Sequence, residues 1–202
     1  MTPVRLPADA VLIVIDVQEA IDDPRWGPRN NPQAEANIAA LLAAWRAEDL
    51  PIVHVRHDSV DPASPYAPGG PGHRFKPCAA PLAGEVVLAK NANSAFVGTG
   101  LETMLDELGA TTLVICGVLT PNSVEATARH AGNLGYQVFV VADACWAVDK
   151  IDLRGKRWPA EDVHALSLAH LEGEYASIVS AMTTLRAAAL AKSRQRRGAG
   201  KA

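Results

Sequence analysis

No stretch of the 202-residue chain approaches the roughly 18–20 uninterrupted apolar residues that span a bilayer, since the run Val11 to Ile15 is broken at once by Asp16. A membrane partner is therefore not expected. Cysteine is scarce: Cys78, Cys116 and Cys145 are an odd number without metal-ligand spacing, which gives no disulfide framework and no zinc motif. The opening Met1-Thr-Pro-Val-Arg lacks the basic and apolar regions of a secretory signal, so a reducing cytoplasm is the expected location. Positive charge is missing from the body of the chain. The net charge is −3, yet Lys192, Arg194, Arg196, Arg197 and Lys201 place +5 in the last eleven residues, leaving −8 on the other 191. Such a body would repel phosphates, and no nucleic-acid partner is expected. The basic end reads as a solvated, flexible tail over 187–202, with weak polyanion contact or partner docking as the alternative. No internal repeat appears, and no G-x-G-x-x-G follows the first strand-like run, which argues against a dinucleotide-binding domain.

What remains is an ordinary globular composition, 49% apolar and 20% charged, in a length that suits one domain, here 1–186. Short apolar runs rich in β-branched residues alternate with helical patterns. Val11-Leu-Ile-Val-Ile15, Pro51-Ile-Val-His-Val55, Glu85-Val-Val-Leu-Ala89, Thr112-Leu-Val-Ile-Cys116, Gln137-Val-Phe-Val-Val141 and Ser177-Ile-Val-Ser180 read as strands. Ile38, Leu41, Leu42 and Trp45 form one face of a helix over 37–47. Thr99-Gly-Leu-Glu102 reads as a capping box opening a helix that Gly109 closes; further helices are expected over 122–134 and from Pro159 to Leu171. Strands separated by helices pair in parallel through right-handed crossovers. The expected fold is a three-layer α/β/α domain with a six-stranded, mainly parallel, Rossmann-like sheet.

Two stretches break this regularity, 22–32 and the proline-rich 57–81. The second holds six prolines and Gly69-Gly-Pro-Gly72 and reads as a binding loop, a plain surface excursion or a contact with a neighbouring subunit. Ligands of open parallel sheets bind outside the carboxyl ends of the strands, so the residues there are the first candidates. These are Asp16 and Gln18, His57 and Asp58, Lys90, Gly117 to Ser123, and Asp143 to Trp146. Asp16 and Lys90 each terminate an apolar run, and a half-buried carboxylate needs a cation or donors. They form either a structural ion pair or part of a reaction centre. Ser123 falls in the first turn of a helix whose start is marked by Pro121, where free N–H groups and the helix dipole favour a developing oxyanion. Capping alone would also account for a serine there.

Taken in order, Val14-Ile-Asp-Val-Gln18, Lys90-Asn-Ala-Asn-Ser-Ala-Phe-Val-Gly-Thr99, Gly117-Val-Leu-Thr120 with Val124-Glu-Ala-Thr-Ala-Arg129, and Leu134-Gly-Tyr with Asp143-Ala-Cys145 resemble the isochorismatase-like (cysteine) hydrolases from about Val11 to Val179. The resemblance implies hydrolysis of an amide or related C–N bond in a small molecule by an aspartate, Asp16, a lysine, Lys90, and a cysteine nucleophile. It departs at the third position, where Ser123 stands. A hydroxyl needs a positioned base far more than a thiol does. Three explanations follow: a natural serine variant using Ser123 or a water, as in the vinyl-ether branch of the family; an engineered replacement that traps substrate; or an inactive binding homologue. The resemblance further implies a cis peptide between Val118 and Leu119, an oxyanion hole from the Leu119 and Ser123 amides, and a homo-oligomer, dimer or tetramer, with 57–81 as the candidate contact. No cofactor and no metal are expected, because His54-Val-Arg-His-Asp58 with a distant His73 falls short of converging zinc ligands; His57 and Asp58 are expected to shape the pocket or hold a loop. Gln18, Trp26, Phe96 and Trp146 are the candidate substrate contacts.

Overall fold

A computed structural model of the protein describes residues 6, 7 and 9–199, with side chains placed through residue 190. Six parallel strands build the central sheet: β1 (Val11–Ile15), β2 (Ile52–His57), β3 (Val86–Lys90), β4 (Thr112–Val118), β5 (Gln137–Trp146) and, after a short antiparallel hairpin of β6 (Lys150–Ile151) and β7 (Arg157–Trp158), β8 (Ser177–Val179). Their order is β3-β2-β1-β4-β5-β8. The chain winds outward from β1 in one direction and from β4 in the other, so the topological switch lies between these two. Both are buried along their whole length, which is why they read as unbroken apolar runs.

The helices are α1 (Ala34–Ala47), α2 (Leu101–Glu107), α3 (Glu125–Asn133), α4 (Ala160–Leu171) and α5 (Ala181–Ala199). α1 packs with α5 over β1 and β5, while α3 packs with α4 against β5, giving the expected three layers. The face of α1 read from the sequence, Ile38, Leu41, Leu42 and Trp45, is fully buried. At α2 the expected capping box is incomplete. Gly100 is the N-cap, and Thr99 Oγ1 accepts from the Leu101 N–H at 3.2 Å with no bond returning from Glu102 among the described residues.

The expected boundary between a domain ending at 186 and a flexible tail falls inside α5, where Ala187 and Ala188 are buried and the backbone is helical to Ala199. Lys201 lies outside the described residues. The 57–81 segment packs largely on its own chain. Tyr66 is buried, Lys76 is paired with Asp22 and Glu35 at 2.6 and 3.0 Å, and Gln18 forms a bridge to Phe75. Among the described residues no helix is long and apolar enough to cross a membrane.

Candidate active site

Three strand ends converge at the switch. β1 ends when the chain turns at Asp16, whose φ of +55° is a left-handed conformation that aspartate tolerates better than most residues. Lys90 closes β3, two strands away, a separation of about 9–10 Å that a long side chain is needed to cross. Its Nζ donates to Asp16 Oδ2 at 2.7 Å, to Ser123 Oγ at 3.1 Å and to the Ala92 carbonyl at 3.0 Å. Those three acceptors match the three protons of an ammonium. Ser123 arrives from β4. Gly117, at φ +123°, lies so close to β1 that a Cβ there would sit 2.2 Å from the Ile15 carbonyl oxygen, and this contact brings the end of β4 beside Asp16. A cis peptide joins Val118 to Leu119, as the resemblance implied. A single π-helical turn, Thr120–Val124, then carries Ser123 into α3. Thr120 Oγ1 is held from behind by His164 Nδ1 at 2.8 Å.

This centre is dry. Asp16 is 4% and Lys90 2% exposed. Burial raises the Asp16 pKa above the ordinary carboxylate value, against the opposing pull of Lys90, Ser123 and His57. Asp16 Oδ1 is enclosed and has no hydrogen-bond partner among the described residues. The His57 ring lies 3.4 Å from Lys90 Nζ, and its own burial lowers its pKa, which favours the neutral imidazole. The cysteines stand apart from this chemistry. Cys116 is enclosed within β4 with its thiol pKa raised, and burial pushes that of Cys145 up to about 12.

The sequence profile of the isochorismatase domain matches residues 10–183. The chain belongs to the isochorismatase family of hydrolases. A crystal structure of a putative hydrolase of this family from Chromobacterium violaceum is 53% identical and superposes with a TM-score of 0.91, covering 94% of this chain and 98% of that one. An isochorismatase family protein of Bacillus subtilis is 39% identical over 84% of this chain and 90% of its own length. The ureidoacrylate amidohydrolase of Methylobacterium radiotolerans is 29% identical over 84% of this chain and 76% of its own.

In this family member the centre opens into a cleft of about 160 Å³ lined by Asp16, Trp26, His57, Tyr66, Leu119, Asn122 and Ser123, among others. Of the expected substrate contacts only Trp26 lies there. The Gln18 amide is engaged by backbone: it accepts from the His57 N–H at 2.7 Å and donates to the carbonyls of His57 and His73 at 3.1 and 2.9 Å. It is a brace between β2 and the 57–81 segment. Phe96 packs away from the cleft against His130 and Tyr136, with ring centroids 5.0 and 6.1 Å apart. Trp146 is fully buried under the Arg29 guanidinium. His57 lines the cleft, while Asp58 holds Arg56 and His73 at 2.8 and 2.7 Å. Among the described residues no group of three or more His, Cys, Asp and Glu side chains could hold a metal ion.

Among the cleft residues to which the sequence reading gives no role are Tyr66 and Asn122. Tyr66 turns inward from the middle of the proline-rich segment, edge-on to Trp26 at 6.2 Å and to His57 at 5.6 Å, with its hydroxyl 3.4 Å from the Asp16 carbonyl. An aromatic residue inside an irregular polar loop was the available signal. Asn122 falls within the candidate stretch Gly117 to Ser123, where the sequence reading gives roles only to Ser123 and to the Leu119 backbone.

Proposed function

We propose that the protein hydrolyses an amide or related C–N bond of a small molecule, with Ser123 as nucleophile, Asp16 as base and then acid, and Lys90 orienting both. The observation that carries this reading is the single Lys90 ammonium bonded to Asp16 Oδ2 and Ser123 Oγ at the floor of the cleft. A carboxylate with a raised pKa is a stronger base than an ordinary one, and the unpartnered Oδ1 is free to receive the proton. Ser123 Oγ attacks the carbonyl carbon as its proton passes to Asp16. The Leu119 and Ser123 N–H groups accommodate the oxyanion. Collapse of the tetrahedral adduct breaks the C–N bond, and the protonated Asp16 returns its proton to the departing amine. A water, deprotonated by Asp16, then releases the acid from the ester and restores Ser123.

The relationship to an amidohydrolase supports the C–N assignment. The raised Asp16 pKa also favours a second reading, in which a protonated Asp16 donates to a vinyl ether and water attacks, with Ser123 only positioning. Turnover of a panel of amides, ureides and vinyl ethers by the wild type and by Ser123→Ala separates them. The serine mechanism requires an acyl adduct on the peptide bearing Ser123, detectable by mass spectrometry after rapid acid quench, and loss of turnover in the variant. The water mechanism requires turnover without an adduct. Absence of turnover in both proteins across the panel would overturn the hydrolytic reading in favour of a binding protein. The proposal extends to a homo-oligomer, for which a monomer in sedimentation at micromolar concentration would be contrary evidence.

A further inference from the structure

One charge in the cleft lining has no counterpart. Asp16 and Lys90 neutralise each other at the floor, and burial favours the neutral His57 imidazole. That leaves Lys150, which lines the cleft from β6 and is exposed, with no ion pair or side-chain hydrogen bond among the described residues. Its neighbours in the β6–β7 hairpin are engaged with one another. Asp149 is held by Arg157 and by the Ala160 N–H at 2.8 Å, Asp152 accepts from Trp158 Nε1 at 2.9 Å, and the Lys156 ammonium rests 3.5 Å from the centre of the Trp158 ring. The hairpin also differs in charge from its surroundings. Residues 149–158 hold four cations, Lys150, Arg154, Lys156 and Arg157, against Asp149 and Asp152, on a body that is otherwise acidic. A net-positive rim on such a body draws anions toward the opening it borders.

We propose that Lys150 is a specificity-determining residue whose ammonium pairs with a carboxylate carried by the substrate, at the end away from the bond that Ser123 attacks. The substrate class is thereby narrowed to small amides and ureides that bear one negative charge. One ammonium balances one carboxylate, whereas a dianionic phosphate would keep a charge unpaired against the acidic body. Lysine suits a rim position, because its flexible four-carbon stem lets a strongly hydrated ammonium follow the ligand without leaving water entirely. Trp26 and Tyr66, which also line the cleft, add no charge of their own. The inference rests on the cleft being the substrate site, the same site as in the proposed function.

Binding is measured on the full-length Ser123→Ala protein, so that turnover does not intervene, by ligand-detected NMR titration with succinamate and glutaramate, each against the corresponding uncharged diamide. We expect at least one of the two carboxylates to bind about fivefold or more tightly than its diamide at low ionic strength, with the preference shrinking in about 0.5 M sodium chloride. Lys150→Gln should abolish the preference, Lys150→Arg should keep it and Lys150→Glu should reverse it. The position is exposed, so these variants should fold as the parent does. Lys156→Gln removes a charge from the same hairpin at a residue outside the cleft lining and should keep the preference. Equal binding within both pairs, a preference that survives Lys150→Gln, its loss in Lys150→Arg, an equal loss in Lys156→Gln, or binding of no probe at millimolar concentration would each overturn the proposal. The hydrolytic reading fails on a different measurement, the absence of turnover in the wild type, so the two failures are distinguishable.

Discussion

Replacing Lys90 by methionine keeps a long apolar stem and deletes the ammonium that three acceptors share. Asp16, 4% exposed, then has neither carboxylate oxygen hydrogen-bonded to a cation, and Ser123 Oγ and the Ala92 carbonyl lose a donor. Removing one partner of a buried ion pair typically costs about 3–5 kcal/mol, because an uncompensated charge is left inside. For a chain of this length each kcal/mol lowers Tm by about 2–4 °C, so a loss of about 10 °C is expected. The deficit should depend on pH with a definite sign. Burial already raises the Asp16 pKa, and deletion of Lys90 raises it further. A carboxyl with a raised folded pKa binds more protons in the native than in the unfolded state, so stability falls as pH rises from the ordinary value through the folded one. The Lys90→Met deficit should therefore be small near pH 4 and grow toward pH 8. Urea unfolding of the wild type, Lys90→Met, Asp16→Asn and the double variant at several pH values tests this. The double variant should regain most of the loss, since the orphaned charge is gone. A deficit under about 1 kcal/mol, flat with pH, and additive single effects would refute the argument that the pair is buried and mutually dependent.

Ser123→Cys should raise amidase activity by on the order of 10², since a thiolate depends less on base assistance than a hydroxyl does; a wild type faster than the variant would show that oxygen or water chemistry is native to the site. Glu85 accepts from Arg46 at 2.7 and 2.9 Å and from the Leu82 N–H and His54 at 2.8 Å each, and these donors lower its pKa from 4.5 to about 2. Its stabilisation is thus complete above its ordinary pKa and is lost as pH falls toward 2, by up to about 3 kcal/mol, a slope that acid-unfolding curves of Glu85→Gln should lack. Gly117→Ala would drive a Cβ into the Ile15 backbone, 2.2 Å from its oxygen and 2.7 Å from its nitrogen, at a φ of +123°. A loss of at least about 3 kcal/mol in urea unfolding is expected, and a variant within about 1 kcal/mol of wild type would mean that β1 and β4 separate easily.

The parts of the fold that were legible share a cause. β1 and β4 are buried on both faces, so nearly every residue is apolar and the run announces itself; α1 carries large side chains at helical spacing. Asp16 and Lys90 were legible because each charge ends an apolar run, the buried β1 for Asp16 and the largely exposed edge strand β3 for Lys90. α5 lacked that contrast. Its buried face is Ala181, Thr184, Ala187 and Ala188, small residues that a sequence pattern hardly separates from a solvated tail. β6 and β7 are two residues each, too short to show any period.

The sequence by itself determined which strands exist, that they run parallel, and that Asp16, Lys90 and Ser123 stand at or just beyond strand ends, because burial and crossover chemistry act on contiguous residues. Tertiary structure alone decided what surrounds them. Whether Gln18 meets substrate or clasps backbone, whether Trp146 faces the cleft or Arg29, and whether Tyr66 turns inward depend on contacts between segments distant in sequence.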